Sequence, residues 1–359
     1  WHTLSLHDAL PISCASCLLE PYLDDALHRE NIEVLVQSEV AEVLGYFGHF
    51  IVQIKRKARM VNSNLCIGCG TCSTVCPVIV PNEFNENMDI RKAIHIAFPG
   101  CLPHTAFVDQ ENCLRRKGDS CNDCKDACHF GAIDLEKQDI TKEISVGAIV
   151  IATGFELYDP RDEIGCGNAG NLYSSMAFER MLSQTGPTGG EIRTENGETP
   201  QNFALINLPH FSNEKGTCDG SDIRRDLVEK YLCKIRAQLP DCSITRFEPC
   251  LCLKKRKAGI SSAENDDDVH LFSPGDLHLE AKNDRITIFC KDGFEKELEK
   301  IFDLVVFLPV MKGDRDAETL SGIFNVTCNS EGFFAAPQQL MEPLASERTG
   351  IFQIGRAHV

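Results

Sequence analysis

Apolar residues in the first third of the chain fall in short β-branched runs. IEVLV (Ile32 to Val36), SEVAEVLG (Ser38 to Gly45) and HFIVQI (His49 to Ile54) are parted by Gly45 and Gly48 and predict strands with a hairpin. A polar connector, Lys57 to Asn64, follows. Between Cys66 and Cys128 the periodicity stops, and only ENMDIRKAIHIA (Glu86 to Ala97) predicts a helix. VGAIVIATG (Val146 to Gly154) is then a continuous apolar run ending at glycine, the pattern of a strand buried on both faces of a parallel sheet.

The second half alternates helix and strand patterns. SSMAFERMLSQTGP (Ser174 to Pro187) predicts a helix with Phe178, Met181 and Leu182 on one face, stopped by Gly186 and Pro187. NFALINLP predicts a strand, SDIRRDLVEKYLCKIRAQLP a helix with Ile223, Leu227, Tyr231 and Ile235 at fourfold spacing, and CSITRFEP another strand. These three make one βαβ unit. RITIFC and FDLVVFLPV (Phe302 to Val310) add further strands, so the fold class expected is α/β with a small cysteine-dense module set inside it.

The chain has 359 residues, with 36 Lys and Arg against 53 Asp and Glu, a formal net charge of −17. That balance argues against nucleic acid as a partner. No apolar run approaches the roughly 20 residues of a membrane helix, so no direct membrane span is expected and the cytoplasm is the expected location. The runs KKRK (Lys254 to Lys257) and ENDDDVH (Glu264 to His270) read as solvated loop charge. Residues 1–13 and 354–359 resemble translated sequencing-adapter read-through and are expected to be non-native, so that the natural protein continues past both.

Cysteine changes the picture, because 19 thiols in an acidic chain without a secretory signal read as metal ligands rather than disulfides. CIGCGTCSTVCP carries Cys66, Cys69, Cys72 and Cys76 with Pro77 after them, the spacing of a ferredoxin 4Fe-4S run. A cubane cluster needs three thiolates converging from one tight loop, and Gly68 and Gly70 let the backbone fold around it. A second set follows at Cys113, Cys121, Cys124 and Cys128, with a long gap after Cys113 and His129 where proline is usual. In such runs the fourth cysteine reaches the other cluster. The expected partition is therefore Cys66, Cys69, Cys72 and Cys128 on one cluster and Cys113, Cys121, Cys124 and Cys76 on the other. Structural zinc is the alternative, but zinc ribbons use two separated pairs rather than three cysteines in seven residues. Among the remaining cysteines, Cys14 and Cys17 form a further pair; Cys101, Cys166, Cys290 and Cys328 read as buried or free thiols. Cys218, Cys233, Cys242, Cys250 and Cys252 match no strong metal spacing.

Gly165, Gly167 and Gly170 spell G-x-G-x-x-G, but they follow the polar DPRDEI and open no apolar helix, so the string reads as an ordinary loop. No P-loop and no G-x-S-x-G elbow occurs. IVIATGF is more informative. A strand running into Ala152, Thr153 and Gly154 resembles the ATG element of two-dinucleotide-binding flavoproteins, and DLVVFLPV and TGIFQIG resemble that family's second such strand and the short strand ending near the flavin.

Taken with the CASC pair, CIGCGTCSTVCPV followed by VPNEF, CNDCKDACHFGAIDL and VGAIVIATGFELYDP, the chain from Cys14 to Gly355 resembles the A-type iron-sulfur subunit of heterodisulfide reductase, with its bacterial relatives. The resemblance implies an incomplete two-dinucleotide-binding, thioredoxin-reductase-like flavoprotein fold with an inserted α+β dicluster ferredoxin domain. It divides the chain into an FAD-binding domain at 14–61, 138–190 and 311–353, the ferredoxin-like insert at 62–137, and a second nucleotide-domain-like α/β unit at 191–310. It implies FAD, with Ala152, Thr153 and Gly154 beside it, and two 4Fe-4S clusters. The function implied is electron transfer between FAD and those clusters in a heterodisulfide-reductase-like complex, with flavin-based bifurcation in some members and no catalytic residue identified. Implied partners are the other redox subunits of such a complex and ferredoxin or hydrogenase-type electron donors. Two features depart from the family. Its glycine-rich FAD loop would lie before Cys14, and of its additional cluster only Cys218 and Cys233 remain. An iron-sulfur adaptor without functional flavin is the second hypothesis, and a zinc module the third. An NAD-specific reductase is disfavoured, since NFALINLP leads into no glycine fingerprint.

Overall fold

Gly45 (φ 90°) and Gly48 (φ 89°) hold the backbone conformations that let β1 (Ser38–Tyr46) fold back on β2 (His49–Arg56), with Tyr46 opposite His49. This is the hairpin expected from the sequence. In the computed structural model the described residues are 21–98, 100–101, 103–161, 164–166, 169–208, 221–249, 268–292, 297–308, 311–337, 342 and 344–354. The chain divides into two compact units, residues 1–154 with 316–329 and 334–359, and residues 155–315 with 330–333. The stretch expected to continue the first domain as far as 190 thus divides at Gly154.

In the first unit β2 is the centre of a three-stranded antiparallel sheet whose other neighbour is β7 (Ile140–Val146), with Arg56 opposite Ile140. The cysteine-bearing segment therefore leaves and re-enters between two adjacent strands, which is how a module can be inserted without interrupting the sheet. The alternation along β2 buries Phe50, Val52 and Ile54, which pack with Val43, Ile151, Ile351 and the helix Ala317–Phe324. The Arg348 guanidinium ties the unit together, donating to the carbonyls of Gly45 (2.9 Å) and Phe324 (3.1 Å) and lying 5.2 Å from the Phe50 ring centre.

The insert is built from very short elements. β3 (Ile79–Pro81) pairs with β4 (Ile90–Lys92), and β5 (Ile94–Ile96) with β6 (Ala106–Val108). Helices α1 (Thr71–Val75) and α2 (Asp123–Asp126) pack on each other, and a bridge between Val61 and Ile133 closes the ends. The helix expected over Glu86 to Ala97 is not formed. Glu86 and Asn87 take positive φ values, which end a helical run, and the β-branched IRKAIHI segment instead supplies β4 and β5, burying Ala93 and Ile94.

Two other expectations are corrected. Ile32 to Val36 form no strand; β1 begins only at Ser38, after Gln37 with φ 55°. In VGAIVIATG, Val146 is the last residue of β7, and the run itself supplies only the short β8 (Ile149–Ile151). It pairs in parallel with β18 (Ile351–Gln353), and although Ile151 is buried, Val150 is 57% exposed, so the run is not covered on both faces.

In the second unit a seven-stranded sheet has the order β10-β16-β11-β12-β13-β14-β15. Its parallel part consists of β10 (Leu172–Ser174), β16 (Leu304–Leu308), β11 (Asn202–Asn207), β12 (Ser243–Pro249) and β13 (Asp268–Lys282). β14 (Arg285–Asp292) and β15 (Glu297–Phe302) extend it antiparallel. A small pair, β9 (Glu156–Leu157) with β17 (Met311–Lys312), completes the unit's strands. β16 is buried throughout, and β11 and β12 nearly so, as near-continuous apolar runs such as LVVFL require.

Helices α3 (Ser175–Leu182) and α4 (Ser221–Gln238) form as the 3.6-residue patterns require, and α5 is the Ala317–Phe324 helix of the first unit. The Ser174 hydroxyl caps α3 by accepting the Ala177 N–H. On its inner face Phe178 meets Tyr231 edge to face at 5.0 Å and packs on Phe203, while the Tyr231 hydroxyl donates to the Ser175 carbonyl at 3.1 Å. The expected Met181 is buried and Leu182 half-buried beside them. Replacing Phe178 by alanine removes a fully buried ring from this cluster and should destabilise the unit by about 3–5 kcal/mol. A lowered urea midpoint with unchanged m-value is the expected readout, and a loss under about 1 kcal/mol would contradict the packing.

Candidate metal centres

The ferredoxin-like run begins where Gly68 (φ 71°) and Gly70 (φ 75°) turn the backbone, Gly70 serving as the left-handed N-cap of α1. Between them Cys69 is exposed, with its Sγ 3.4 Å from the Thr71 hydroxyl. One turn on, α1 buries Cys72. The helix ends at Cys76, whose extended backbone (φ −65°, ψ 124°) swings that side chain away from its three predecessors. α2 repeats the device, carrying Cys124 inward, while Cys128 follows just past its end.

The outcome is two separate cavities. Cys66, Cys69, Cys72 and Cys128 line one, together with Ile67, Ala106, Phe130 and Ile133. Cys76, Cys113, Cys121 and Cys124 line the other, with Ala93, Ile94, Val108 and Leu135. These are the two sets expected from the spacing, including the exchange of Cys76 and Cys128. Ala106 and Ile133 of the first lining and Ala93, Ile94, Val108 and Leu135 of the second belong to one hydrophobic cluster, so the cavities share a core.

The electrostatics are those of thiols that want a cation. Burial pushes the Cys124 thiol up to about 12, with the neighbouring Cys113 and Cys76 adding to the rise. Burial likewise raises Cys72, helped by Cys66 beside it. Cys69 is lowered, chiefly by the hydrogen bond from the Thr71 hydroxyl. Four thiolates cannot ionise around one small void without a positive group between them. Among the described residues no three His, Cys, Asp or Glu side chains stand together as ligands of a single metal ion. Each donor set is four sulfurs lining one space, the set that a 4Fe-4S cluster uses.

The first cavity has hydrogen-bond donors aimed at its sulfurs. The Ala106 N–H points to Cys66 Sγ (3.5 Å) and the Ala132 N–H to Cys128 Sγ (3.4 Å). At the second, Cys76 Sγ lies 4.0 Å from the Val78 carbonyl, which accepts rather than donates. His104 completes the first loop, its ring lying where a Gly68 side chain would go; an added Cβ would come within 2.4 Å of that ring and 2.6 Å of the His104 carbonyl oxygen. Cysteine spacing gives no signal for Ala106, Ala132 or His104, because each reaches the loop from a distant part of the chain.

The remaining candidates are dispersed. Ala152, Thr153 and Gly154 stand together, exposed, at the carboxyl end of β8. Gly165 and Gly170 lead into β10 rather than a helix, in keeping with an ordinary loop, and Gly167 lies outside the described residues. Cys101, Cys166 and Cys290 are buried thiols, and Cys328 is half-buried with its Sγ 3.7 Å from the Ala317 carbonyl. Cys233 is exposed on α4 and Cys242 half-buried at its far end. Cys14, Cys17, Cys218, Cys250 and Cys252 lie outside the described residues.

Residues 60–78 match the 4Fe-4S binding domain family. The chain is 29% identical over 361 residues to the A-type subunit of the H(2):CoB-CoM heterodisulfide,ferredoxin reductase of Methanothermobacter marburgensis, covering 96% of this chain and 53% of that protein. It is 30% identical to an A-type iron-sulfur subunit of the CoB--CoM heterodisulfide reductase of Methanopyrus kandleri, over 95% of this chain and 53% of the relative. The chain thus spans about half the length of the curated relatives it matches. Among solved structures, bacillithiol disulfide reductase from Bacillus cereus aligns with 94% of this chain and 68% of its own at 9% identity, with a TM-score of 0.40. Lactococcus lactis thioredoxin reductase aligns with 73% and 76% at 14% identity, with a TM-score of 0.35.

The two turn glycines differ in what they tolerate. Gly68→Ala meets His104 and a strained φ together, whereas Gly70→Ala has open space and should cost only about 1 kcal/mol from its φ. Thermal unfolding should place Gly68→Ala well below Gly70→Ala, and equal midpoints would show that His104 does not occupy the loop.

Proposed function

We propose that this chain, whose resemblance to the A-type heterodisulfide reductase subunit holds over nearly all its length, is the electron-transfer half of such a protein, holding two 4Fe-4S clusters and working with FAD. One observation carries the reading: two sets of four cysteines line two neighbouring cavities, each set completed by a cysteine from the other run.

Cys66, Cys69, Cys72 and Cys128 would hold one cluster, and Cys76, Cys113, Cys121 and Cys124 the other. Clusters of this type supply one-electron transfer. The chain's own residues do the rest. Val61, Ile94, Val108, Ile133 and Leu135 keep the core between the sites dry, which strengthens the attraction between thiolates and iron. The Ala106 and Ala132 N–H groups favour added negative charge at the first site. α1 and α2 pack together and fix the spacing between the sites.

For FAD the support is the sequence similarity and the position of Ala152, Thr153 and Gly154, which we assign to the flavin's edge. They stand exposed and carry no titratable side chain, so they would position the flavin rather than exchange protons with it. The name of the M. marburgensis relative gives that protein two acceptors, a heterodisulfide and a ferredoxin. For the whole protein to which this chain corresponds we propose an oxidoreductase of that class, with bifurcation between two acceptors. Its partners would be the other redox subunits of the complex, and ferredoxin or hydrogenase-type donors. No helix among the described residues is long and apolar enough to cross a membrane, in keeping with the proposed cytoplasmic setting.

Anaerobic reconstitution tests the reading through the crossed ligands. The unaltered chain should bind about eight irons with matching sulfide. Cys76→Ser should disturb the site otherwise built from Cys113, Cys121 and Cys124 and leave about four tightly held irons. Cys128→Ser should disturb the site of Cys66, Cys69 and Cys72 instead, with resonance Raman or Mössbauer spectra distinguishing the survivors. A zinc-loaded product without sulfide, or two variants that lose the same site, would overturn it.

A further inference from the structure

Neither cysteine run supplies the loop from His104 to Ala106, yet that loop reaches the first site twice. The His104 ring and carbonyl close over Gly68, and the Ala106 N–H points to Cys66 Sγ at 3.5 Å. Thr105, between them, is 7% exposed, and its hydroxyl oxygen accepts a hydrogen bond from Arg59 Nη2 at 2.5 Å. Ala106 opens β6, so Thr105 is the last residue before sheet pairing takes over the backbone. The loop touches the first cavity only, through Ala106.

Arg59 leaves a fixed piece of backbone. The Ala58 N–H donates to Asp139 Oδ1 (2.8 Å), and the Ala58 carbonyl accepts from Gln110 Nε2 (2.9 Å). On the other side the Met60 carbonyl accepts the Asp134 N–H at 2.8 Å, and Ala58 and Met60 are both buried. The Arg59 side chain is half-buried, and among the described residues it has no carboxylate partner, although the chain carries 53 Asp and Glu against 36 Lys and Arg. Arg91, another half-buried arginine of this unit, is held between Glu83 and Asp109 instead. Ion pairing therefore does not account for Arg59, whose hydrogen bond goes to a neutral, buried hydroxyl. Such a charge-assisted bond is stronger than one between neutral groups and fixes the loop accordingly.

We infer that Arg59 is a positioning residue for the first site: through Thr105 it sets the Ala106 N–H on Cys66 Sγ, and so makes a cluster held there easier to reduce. The inference rests on the two-cluster reading. An N–H that donates to a ligating sulfur offsets negative charge at the cluster, and the offset is worth more once an electron has been added. A hydrogen bond depends on distance and angle, so the group that fixes the loop fixes the strength of the bond. The Arg59 charge favours the added electron as well, but that attraction does not need the Thr105 hydroxyl, which separates the two effects.

Redox titration followed by electron paramagnetic resonance tests this on the anaerobically reconstituted chain, with iron and sulfide measured on every variant. Missing iron in the unaltered chain defeats the two-cluster reading; iron retained with the potential unmoved defeats this inference alone. In a Cys76→Ser background, where the first cluster remains, Thr105→Val should lower the potential by about 59 mV, a tenfold shift in the one-electron equilibrium. Arg59→Gln should lower it at least as far, and it decides where Thr105→Val loses its iron. Thr105→Ser, which keeps the hydroxyl, should stay within about twofold of the unaltered equilibrium. In a Cys128→Ser background, which leaves the second cluster, Thr105→Val should shift the equilibrium less than about twofold. Equal potentials for Thr105→Val and Thr105→Ser, or an equal shift at the second cluster, would overturn the inference. So would a lowered unfolding temperature with no change in potential, which would make Arg59 a residue of the fold alone.

Discussion

Four thiolates brought together inside protein repel one another and lose their hydration, and everything distinctive about the insert follows from answering that cost. The buried thiols resist ionisation, most strongly at Cys124, so neither cavity is a stable arrangement of charge without a cationic group at its centre. Short helices and tight glycine turns serve here as ways of placing sulfur atoms. They would be poor choices for a module that had only to bury apolar surface, since elements of three to five residues add little stability of their own.

The exchange of Cys76 and Cys128 ties the two sites into one structure. Each cavity is completed by a residue at the end of the helix that serves the other, so each run contributes to both linings. The insert enters and leaves between β2 and β7, whose pairing brings Arg56 opposite Ile140 and keeps the module's two ends close together. In the other unit a mainly parallel sheet with buried central strands and helices α3 and α4 provides a conventional α/β core, held by Phe178, Phe203 and Tyr231.

What could be read in advance was whatever depends on local spacing. The cysteine intervals gave the two groups that line the two cavities, the paired glycines gave the hairpin, Phe178, Met181 and Leu182 on one face gave α3, and fourfold apolar spacing gave α4. What could not be read depends on contacts between distant residues. Glu86 to Ala97 has helical spacing, yet left-handed residues at Glu86 and Asn87 and the burial of Ala93 and Ile94 in the module's core turn it into two strands. Val146 to Gly154 looks like a doubly covered strand because its residues are apolar, while the actual coverage depends on neighbours the pattern does not report, and Val150 remains exposed. His104 over Gly68, and the N–H groups of Ala106 and Ala132 at the sulfurs, leave no periodic trace at all.

The likeness to the A-type heterodisulfide reductase subunits extends over about half of those relatives, and the cysteine cavities are where sequence and structure meet most fully. Electron paramagnetic resonance of the anaerobically reconstituted chain after full chemical reduction tests that meeting most directly. Two neighbouring paramagnetic clusters should give a broadened signal split by their magnetic interaction, sharpening to one isolated cluster when either set of cysteines is broken. An unsplit signal from a single cluster in the unaltered chain, or no iron signal whatever, would contradict the account.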